Sequence, residues 1–382
     1  MASSLVASLL VAGLASSPGS SVLDREAVTA GWSHSSRAVD RGERLRIIIA
    51  VKQQNLAELK ARALAISAPG NAAYGQHLNV SEIRALSGPS RDSLASVQSF
   101  LTFHHVPGAK STYKIDDDGA VHLHTTVALA ELIFNTTFVR VTHPDLGERI
   151  ISRPEWNLPP IIAEAVDAVF GLRGLPVARR PVIQSTDALP KVTPAVLAST
   201  YSVGGVKVQR GHTHHQAVAE MVDNFMNKQD LSTFFEKLVA DAQPGDDQVD
   251  KFVGAPYAPG FEPEAALDIQ YIMGSAPGVA TEFWSWNALD FCLDLYNISS
   301  QLLSSNVSVV SISYGMQGPL WLAQCKEAEV RAVDANLAKL AARGVSVLVS
   351  SGDAGAGYTR HLLFWYKLYP CLLYTSPSPR DS

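Results

Sequence analysis

The chain has 382 residues, which is long enough for two domains with separate hydrophobic cores. Hydrophobic residues make up 47% of it, charged residues make up 18%, and the formal net charge is −5. This balance lacks the basic field that nucleic-acid binding requires, and no apolar run in the sequence is long enough to span a bilayer. We therefore expect a protein that acts on neither nucleic acid nor membranes.

The first 21 residues are an apolar, small-residue stretch without an acidic side chain. This composition is typical of a secretory signal peptide, although no basic residue precedes the apolar part. We predict a signal peptide at residues 1–21 and entry into the secretory pathway, ending in a lysosome-like or vacuolar compartment or in secretion. A disordered small-residue tail is the alternative. Of the three cysteines, Cys292 and Cys325 could pair, but the sequence cannot show it.

The residues from about 45 to 172 alternate between helix, strand and turn patterns. An uninterrupted β-branched run over 46–51 predicts a buried strand. Helices are predicted over 55–66, 81–86 and 91–103, and strands over 112–115 and 121–125. The two later strands are joined by an acidic turn at 116–119. This order predicts a compact α+β domain.

Between about 174 and 194 the composition changes, since prolines and the pair Arg179-Arg180 replace large apolar residues. We interpret this stretch as an exposed linker. After it, helices alternate with buried strands, which are predicted over 217–223, 279–286, 307–313 and 345–350. Such alternation predicts a parallel sheet covered on both faces.

The end of the chain departs from this alternation. The residues from 371 to 381 resemble the translation of a sequencing adapter, and the pattern is already lost after Gly357. We predict that residues 361–382 are a frameshift or adapter artefact. A genuine proline-rich tail is the alternative.

Two acidic residues lie four positions apart directly after Pro263, a residue suited to the first turn of a helix. Glu264 and Asp268 would then share one helix face, with Cβ atoms roughly 5–6 Å apart. In a site of low dielectric constant, such a pair can act as a base and its orienting partner. A solvated surface pair is the alternative. Glu262, six residues before Asp268, falls on a different face.

A glycine-rich loop over 351–357 directly follows the last predicted strand. Ligands bind at the carboxyl ends of parallel strands, so this loop can present Asp353 to an active site. The glycines have neither the spacing of a dinucleotide-binding loop nor that of a Walker motif, which disfavours nucleotide binding. A flexible turn in which Asp353 caps a helix stays open as an alternative.

The sequence also contains a histidine cluster, formed by His212, His214 and His215. Its spacing matches no zinc motif, and no cysteine or acidic residue is near it in the sequence. We interpret it as a surface loop.

Several stretches, taken in chain order, are similar to parts of one peptidase family. They are 45–86 (which contains 49–55 and 74–78), 169–172, 192–194 with Tyr201, 264–268, 310–315 and 351–357. Together they resemble the sedolisins, the serine-carboxyl peptidases, and most of all the tripeptidyl-peptidase I branch. The first stretches are similar to the family's activation propeptide. The later ones are similar to its charge-relay helix, its core strand and its oxyanion loop.

This resemblance implies an α+β (ferredoxin-like) propeptide followed by an incomplete α/β subtilisin-like domain with a parallel sheet. The implied boundaries are 40–174 for the propeptide, 175–191 for the linker and 192–360 for the N-terminal part of the catalytic domain. The implied partners are a peptide or protein substrate and the chain's own propeptide, which acts as an intramolecular inhibitor.

The resemblance also implies roles for the acidic residues. Glu264 takes the proton of a nucleophilic serine, Asp268 orients Glu264, and Asp353 supports the oxyanion. Unperturbed carboxylates titrate near ~4, and an aspartic acid donates a hydrogen bond only when protonated, so this chemistry favours acidic conditions. The implied function is peptide-bond hydrolysis by an acid-acting serine-type peptidase, and tripeptide release and internal cleavage both stay open.

One departure from the family is that its Gly-Thr-Ser motif, which carries the nucleophile, does not occur in this chain. We therefore expect a precursor fragment that is inactive as written. The calcium site that the resemblance implies would have its ligands beyond this chain. A catalytically dead pseudoenzyme, or an inhibitor or binding module with a propeptide, is the alternative.

Overall fold

The computed structural model describes residues 31–350 with gaps, together with residues 368–369. The gaps are 105–110, 117, 145, 154–155, 176–191, 205–207, 209–210, 212, 222–224, 261, 287–289, 315, 318–324 and 351–367. The predicted signal peptide, nearly all of the predicted linker and most of the predicted artefact lie outside the described residues. We call the described residues up to Leu175 the N-terminal region and those from Val192 the C-terminal region.

The N-terminal region contains the predicted elements with shifts of one or two residues. Its strands are β1 (Ser33–His34), β2 (Arg44–Val51), β3 (Thr112–Ile115), β4 (Val121–Thr126), β5 (Thr137–His143), β6 (Gly147–Arg153) and β7 (Val166–Phe170). Its helices are α1 (Leu56–Ser67), α2 (Val80–Ser87), α3 (Arg91–Phe103), α4 (Val127–Phe134) and α5 (Pro160–Ala163). They are arranged with an antiparallel sheet β3-β4-β2-β7 and a second antiparallel sheet β1-β5-β6.

The C-terminal region is built on a parallel sheet in the order β13-β11-β8-β10-β9. Its strands are β8 (His215–Met221), β9 (Lys251–Gly254), β10 (Thr281–Trp286), β11 (Val307–Ile312), β12 (Met316–Gln317), β13 (Ser346–Val349) and β14 (Leu368–Tyr369). Its helices are α6 (Pro194–Thr200), α7 (Lys228–Leu238), α8 (Pro263–Ser275), α9 (Phe291–Leu302) and α10 (Glu327–Arg343). The short strands β12 and β14 pair with each other.

The uninterrupted apolar run in β2 has a physical explanation, because this strand is buried on both faces. Ile47 and Ile49 pack with α3 and α4 in the core of the N-terminal region. Ile48 and Ala50 point to the other face, where α1 and residues of the C-terminal region join one hydrophobic cluster. A strand that lies between two apolar layers has no polar face and therefore shows no alternation.

The two regions share this hydrophobic cluster along α10. Helix α1 and strand β7 pack against α10, and the rings of Phe170 and Tyr296 lie 4.5 Å apart. The backbone N–H of Leu78 donates to the carbonyl of Ala342 at 2.8 Å. The contact between the regions is thus a continuous apolar interface with backbone hydrogen bonding.

The predicted parallel sheet is present, but the expectation that both faces are covered is only partly met. Helices α9 and α10 cover one face, and α7 and α8 cover part of the other. On the α8 side, Val309 of β11 is 37% exposed and Leu348 of β13 is 54% exposed. Among the described residues no helix lies over these two side chains.

Cys292 and Cys325 form a disulfide, with Cα atoms 5.9 Å apart. It joins the start of α9 to the segment before α10, the two helices on the face that meets the N-terminal region. In the part of the chain that the structure describes, no helix combines the length and the apolar character needed to cross a membrane.

A buried pair of carboxyl groups lies near this disulfide. Asp290 caps α9, since its Oδ1 accepts the N–H of Leu293 at 3.0 Å, and it also accepts an N–H from Gly171 of the N-terminal region. Burial raises the pKa of Asp290 to about 6. Burial, and then the charge of Asp290, raise the pKa of Glu329 well above its usual value. Burial therefore disfavours the ionised form of both carboxyls in the folded chain.

We expect Asp290→Asn to stabilise the protein at neutral pH and to change little in acid. The raised pKa means that the folded chain holds a proton that the unfolded chain releases, so this stabilisation is lost as pH rises from about 4 to about 6. The change from 3.8 to about 6 corresponds to roughly 3 kcal/mol. The difference in the free energy of unfolding between variant and wild type, measured by urea unfolding, should therefore be largest above pH ~6. The exposed Asp241→Asn is the control, and a pH-independent difference for Asp290→Asn would contradict the assignment.

Candidate active site

The candidate base and its partner lie on α8, which begins at Pro263 directly after Glu262. Proline is tolerated in the first turn because the N–H that it lacks would have no partner inside the helix. Ala265, Ile269 and Met273 recur four residues apart and form one buried face. This face packs in a hydrophobic cluster with α7, β8 and β10, and the packing fixes the rotation of α8.

Glu264 and Asp268 lie one turn apart on this fixed helix, and both are half-buried. The Oδ2 atom of Asp268 is shielded from solvent. Glu262, in contrast, is the residue before the helix, and its carbonyl accepts the N–H of Ala266 at 3.0 Å. The structure therefore places Glu264 and Asp268 on successive turns and leaves Glu262 at the helix start.

Asp268 lines a cavity of about 400 Å³ between α8 and the parallel sheet. This volume is within the range of ligand pockets. The sheet contributes Gln216, Val309, Ser311 and Leu348 to the wall, and α8 also contributes Tyr271. The cavity combines a carboxyl group, polar side chains and exposed apolar surface.

The cavity and the N-terminal region lie on opposite faces of the parallel sheet. Side chains alternate along a strand, so Gln216 and Val218 of β8 face α8 while Ala217 and Ala219 face the shared cluster. Within the described residues, the N-terminal region therefore packs against α10, one of the helices that cover the face opposite Asp268.

The predicted oxyanion residue, Asp353, lies outside the described residues. The strand that leads towards it is described: β13 pairs in parallel with β11, and the N–H of Ser350 donates to the carbonyl of Ile312 at 3.1 Å. Leu348 of this strand borders the cavity that Asp268 lines. The chain thus enters the 351–357 loop from a strand beside the candidate site.

The C-terminal region begins in contact with the same helix. The hydroxyl of Tyr271 on α8 donates to the carbonyl of Val192. Pro194 packs against Gly274, where an added Cβ would lie 3.2 Å from the proline ring. The residues directly after the predicted linker are therefore anchored to α8 at Tyr271 and Gly274.

The interpretation of the histidines as a surface loop is wrong for His215. This residue is half-buried at the start of β8, and its Nδ1 lies 2.7 Å from Oε1 of Glu282. Glu282 is distant in sequence, which is why no acidic partner was visible there. His214 is exposed and lies 2.7 Å from the hydroxyl of Ser308, and His212 lies outside the described residues.

Potential metal ligands in the described residues do not fit calcium. The one group found there consists of Cys292, Cys325 and Glu329. Calcium takes six to eight oxygen ligands, whereas this group offers a disulfide and a single carboxylate.

Two polar contacts between the regions have no local signal in the sequence. Lys339 of α10 lies 2.6 Å from Asp118 in the β3–β4 turn, and Asp290 accepts an N–H from Gly171. The partners in each contact are more than one hundred residues apart. Only the acidic turn itself was visible as a local pattern.

Comparison with known proteins matches both regions to one family. The model of the Pro-kumamolisin activation domain matches residues 30–175. Tripeptidyl-peptidase 1 from Rattus norvegicus is 29% identical over 340 residues, that from Mus musculus 29% over 339, and that from Canis lupus familiaris 28% over 341. Each alignment covers 86% of this chain and 59% of the relative.

The chain thus spans about three fifths of the length of the curated relatives that it matches. The activation-domain match covers the N-terminal region, and an alignment of 340 residues necessarily extends through most of the C-terminal region. The activation domain and the parallel sheet follow one another along the chain in the order that the resemblance implied. These similarities support a peptidase of the sedolisin family, in the branch that contains tripeptidyl-peptidase 1.

Proposed function

We propose that this chain is the propeptide-bearing part of an acid-acting serine-type peptidase. The observation that carries the proposal is that Glu264 and Asp268 share one helix, and that Asp268 lines a cavity on the parallel sheet. The activation-domain match over residues 30–175 supports a precursor. The substrates would be peptides or proteins, whose extended backbone the cavity and the exposed strand residues can accommodate.

In the proposed mechanism, Glu264 accepts the proton of a serine hydroxyl as that oxygen attacks the scissile carbonyl. Asp268, one turn further along α8, holds the carboxyl of Glu264 in position. The proton then passes from Glu264 to the leaving amine. Asp353, when protonated, would donate a hydrogen bond to the tetrahedral oxyanion. Both carboxyl functions favour acidic conditions.

The nucleophile is proposed to come from a part of the protein outside this chain. The Gly-Thr-Ser motif does not occur among the 382 residues, and the alignments cover 59% of the relatives. The chain alone would then hydrolyse no peptide. Calcium likewise stays a prediction of the resemblance, with its ligands on that other part.

Several finer features belong to the same proposal. The N-terminal sheet and helices would form a ferredoxin-like propeptide over 40–174, and the C-terminal region a subtilisin-like domain from residue 192. Residues 1–21 would direct the protein into the secretory pathway, where a carboxylate base suits a lysosome-like or vacuolar compartment. The pseudoenzyme alternative finds no support in a helix that retains both Glu264 and Asp268.

The proposal can be tested with the complete protein, which includes the segment beyond this chain. After linker cleavage, the protein is incubated with defined peptides at about pH 4, and the products are identified by mass spectrometry. We expect hydrolysis, with N-terminal tripeptides indicating exopeptidase activity and internal fragments indicating endopeptidase activity. Asp268→Asn should slow it by roughly 10²-fold or more, while the exposed Asp241→Asn should not. The absence of products above a protein-free blank would overturn the proposal.

A further inference from the structure

Helix α8 is held at its C-terminal half by contacts from other elements of the C-terminal region. The helix ends at Ser275, so the carbonyl of Ile272 is among its last four, which lack a partner inside the helix. Gln216 of β8 supplies the partner, because its Nε2 donates to this carbonyl at 3.2 Å and to the hydroxyl of Thr281 at 3.0 Å. The parallel sheet therefore fixes this end of α8.

A second contact is a close approach at Gly274. This residue is buried on α8. A Cβ added to it would lie 2.7 Å from the ring of Phe234 on α7 and 3.2 Å from the ring of Pro194. The absence of a side chain at Gly274 therefore lets α7 and the start of α6 pack directly against α8.

The third contact is made by Tyr271, which lies three residues before Gly274 on α8. Its ring centroid is 5.2 Å from that of Phe234, and its hydroxyl donates to the backbone carbonyl of Val192. The side chain of Val192 is 51% exposed. The hydrogen bond to the carbonyl, and not burial of the valine, therefore attaches this residue to α8.

The residues around this carbonyl have a defined conformation. We call residues 192–194 the entry segment, because they are the first described residues after the predicted linker. The hydroxyl of Thr193 accepts the N–H of Val196 at 3.3 Å and so caps α6. Pro194, the first residue of α6, is buried. A helix cap and a buried proline thus hold the entry segment against α8.

Tyr271 also borders the candidate site. It lies three residues after Asp268, and residues with this spacing are neighbours on a helix surface. Both residues line the cavity between α8 and the sheet. Loss of the contact with the entry segment would let this part of α8 shift, and a displacement of about 1 Å at catalytic groups can cost about 10²-fold in rate.

We propose that Tyr271 is a positioning residue, which through the carbonyl of Val192 fixes the helix that carries Glu264 and Asp268. This inference rests on the proposed function, in which those two carboxyls take part in catalysis. One consequence is that a cut of the linker has to fall before Val192. The entry segment then stays on α8 when the propeptide leaves, and the helix keeps its anchor.

The chain offers a matched control in Tyr201, which directly follows α6. Its side chain is 72% exposed, and it is not among the residues that line the cavity. Tyr271→Phe and Tyr201→Phe each remove one phenolic hydroxyl and keep the ring. A difference between the two variants therefore isolates the hydrogen bond to Val192 from the general loss of a hydroxyl.

The first test uses the complete protein with a site-specific protease sequence that gives a C-terminal piece beginning at residue 190 or at residue 195. Each protein is folded, cut and diluted to nanomolar concentration, and steady-state kinetics are measured at about pH 4. In the piece from residue 190, Tyr271→Phe should lower kcat roughly tenfold and change KM less than about twofold. Tyr201→Phe should change neither constant.

The piece from residue 195 lacks the carbonyl of Val192, so it should show the same loss in kcat without any substitution. Tyr271→Phe should then add nothing to this loss, because two changes that remove one interaction are not additive. Circular dichroism confirms folding, and kcat is expressed per folded protein, which a merely structural role would leave unchanged. Should the piece from residue 195 not fold, the kcat of Tyr271→Phe in the longer piece decides.

A second measurement does not depend on peptidase activity. Hydrogen–deuterium exchange in the uncut 382-residue chain reports local opening of α8. Loss of one hydrogen bond should make the exchange of the α8 amides roughly 3–10-fold faster in Tyr271→Phe than in the wild type. Exchange in Tyr201→Phe should match the wild type.

A wild-type kcat for Tyr271→Phe, a loss that appears in KM alone, or a loss that adds in full to that of the piece from residue 195 would overturn the proposal. A wild-type piece from residue 190 that hydrolyses no peptide would instead contradict the proposed function. The exchange measurement then decides whether Tyr271 anchors α8, and exchange as slow as in the wild type would overturn that role.

Discussion

Replacing Glu264 by Gln should lower the turnover number of the complete peptidase by roughly 10²–10⁴-fold, the usual contribution of a general base. Glutamine preserves the size of the side chain and its place on α8 but cannot accept the serine proton. Substrate binding should change little, because Asp268 rather than Glu264 is among the residues that line the cavity. Steady-state kinetics at about pH 4 would show the loss in kcat with KM nearly unchanged.

Glu262→Gln is the matched control for this prediction. Both substitutions remove one negative charge near the N-terminus of α8, where helix-dipole effects are worth about 0.3–1 kcal/mol. Glu262 precedes the helix, whereas Glu264 lies on its first turn, one turn from Asp268. A change of less than about twofold is therefore expected for Glu262→Gln. Equal losses in the two variants, or a comparable loss for His214→Ala, would contradict the assignment of Glu264 as the base. Such results would show that the loss comes from a general change in charge near the site.

The second large effect concerns the linker. We expect the uncut precursor to be roughly a thousandfold less active at neutral pH than the protein cut within residues 176–191 and diluted. A covalent linker holds the propeptide at an effective concentration of about 1 mM, so a contact with a micromolar dissociation constant would be closed about 99.9% of the time. Cutting the linker makes the contact bimolecular. Dilution to nanomolar concentration, far below the dissociation constant, then separates the propeptide from the rest of the protein.

The measurement is hydrolysis of a fluorogenic peptide at about pH 7 before and after cutting. The described N-terminal region packs against α10, on the side of the sheet opposite Asp268, so this expectation depends on the covalent connection to Val192 beside α8. A precursor that is equally active before and after the cut would rule out inhibition by the propeptide.

Much of the element order could be predicted from local patterns. The helix predicted over 91–103 has the same bounds in the structure. Ser90 caps its start, and apolar residues recur along it at helical spacing. The strand predicted over 46–51 is part of β2. Its lack of alternation indicated burial on both faces, but the layer that covers the second face comes from residues of the distant C-terminal region.

Contacts between distant residues account for what the sequence could not predict. The partner of His215 is Glu282, and that of Lys339 is Asp118. Each pair is formed by the pairing of strands or the docking of regions, which leaves no periodic signal in the chain. The spacing of Glu264 and Asp268 is different in kind, since a single helix defines it.

The candidate site itself was predictable only in part for the same reason. Helical spacing put the two carboxylates on successive turns, and the structure adds the cavity that Asp268 shares with β8, β11 and β13. The role of Asp353 stays a prediction, because this residue lies outside the described residues. The role of Glu264 as a base is also a prediction until its substitution is measured.

The sequence of the full-length transcript beyond the codon for Gly357 tests the central claim most directly. β13 forms one edge of the described sheet, and its apolar Leu348 is 54% exposed beside the candidate site, whereas apolar strands of parallel sheets are normally covered. We predict that the reading frame departs at or soon after Gly357, continues with strands and helices, and reaches a Gly-Thr-Ser motif at the start of a helix, followed by an acidic calcium-binding loop. A stop codon directly after Ser382, supported by reads that cross 357–370 without adapter sequence, would contradict it.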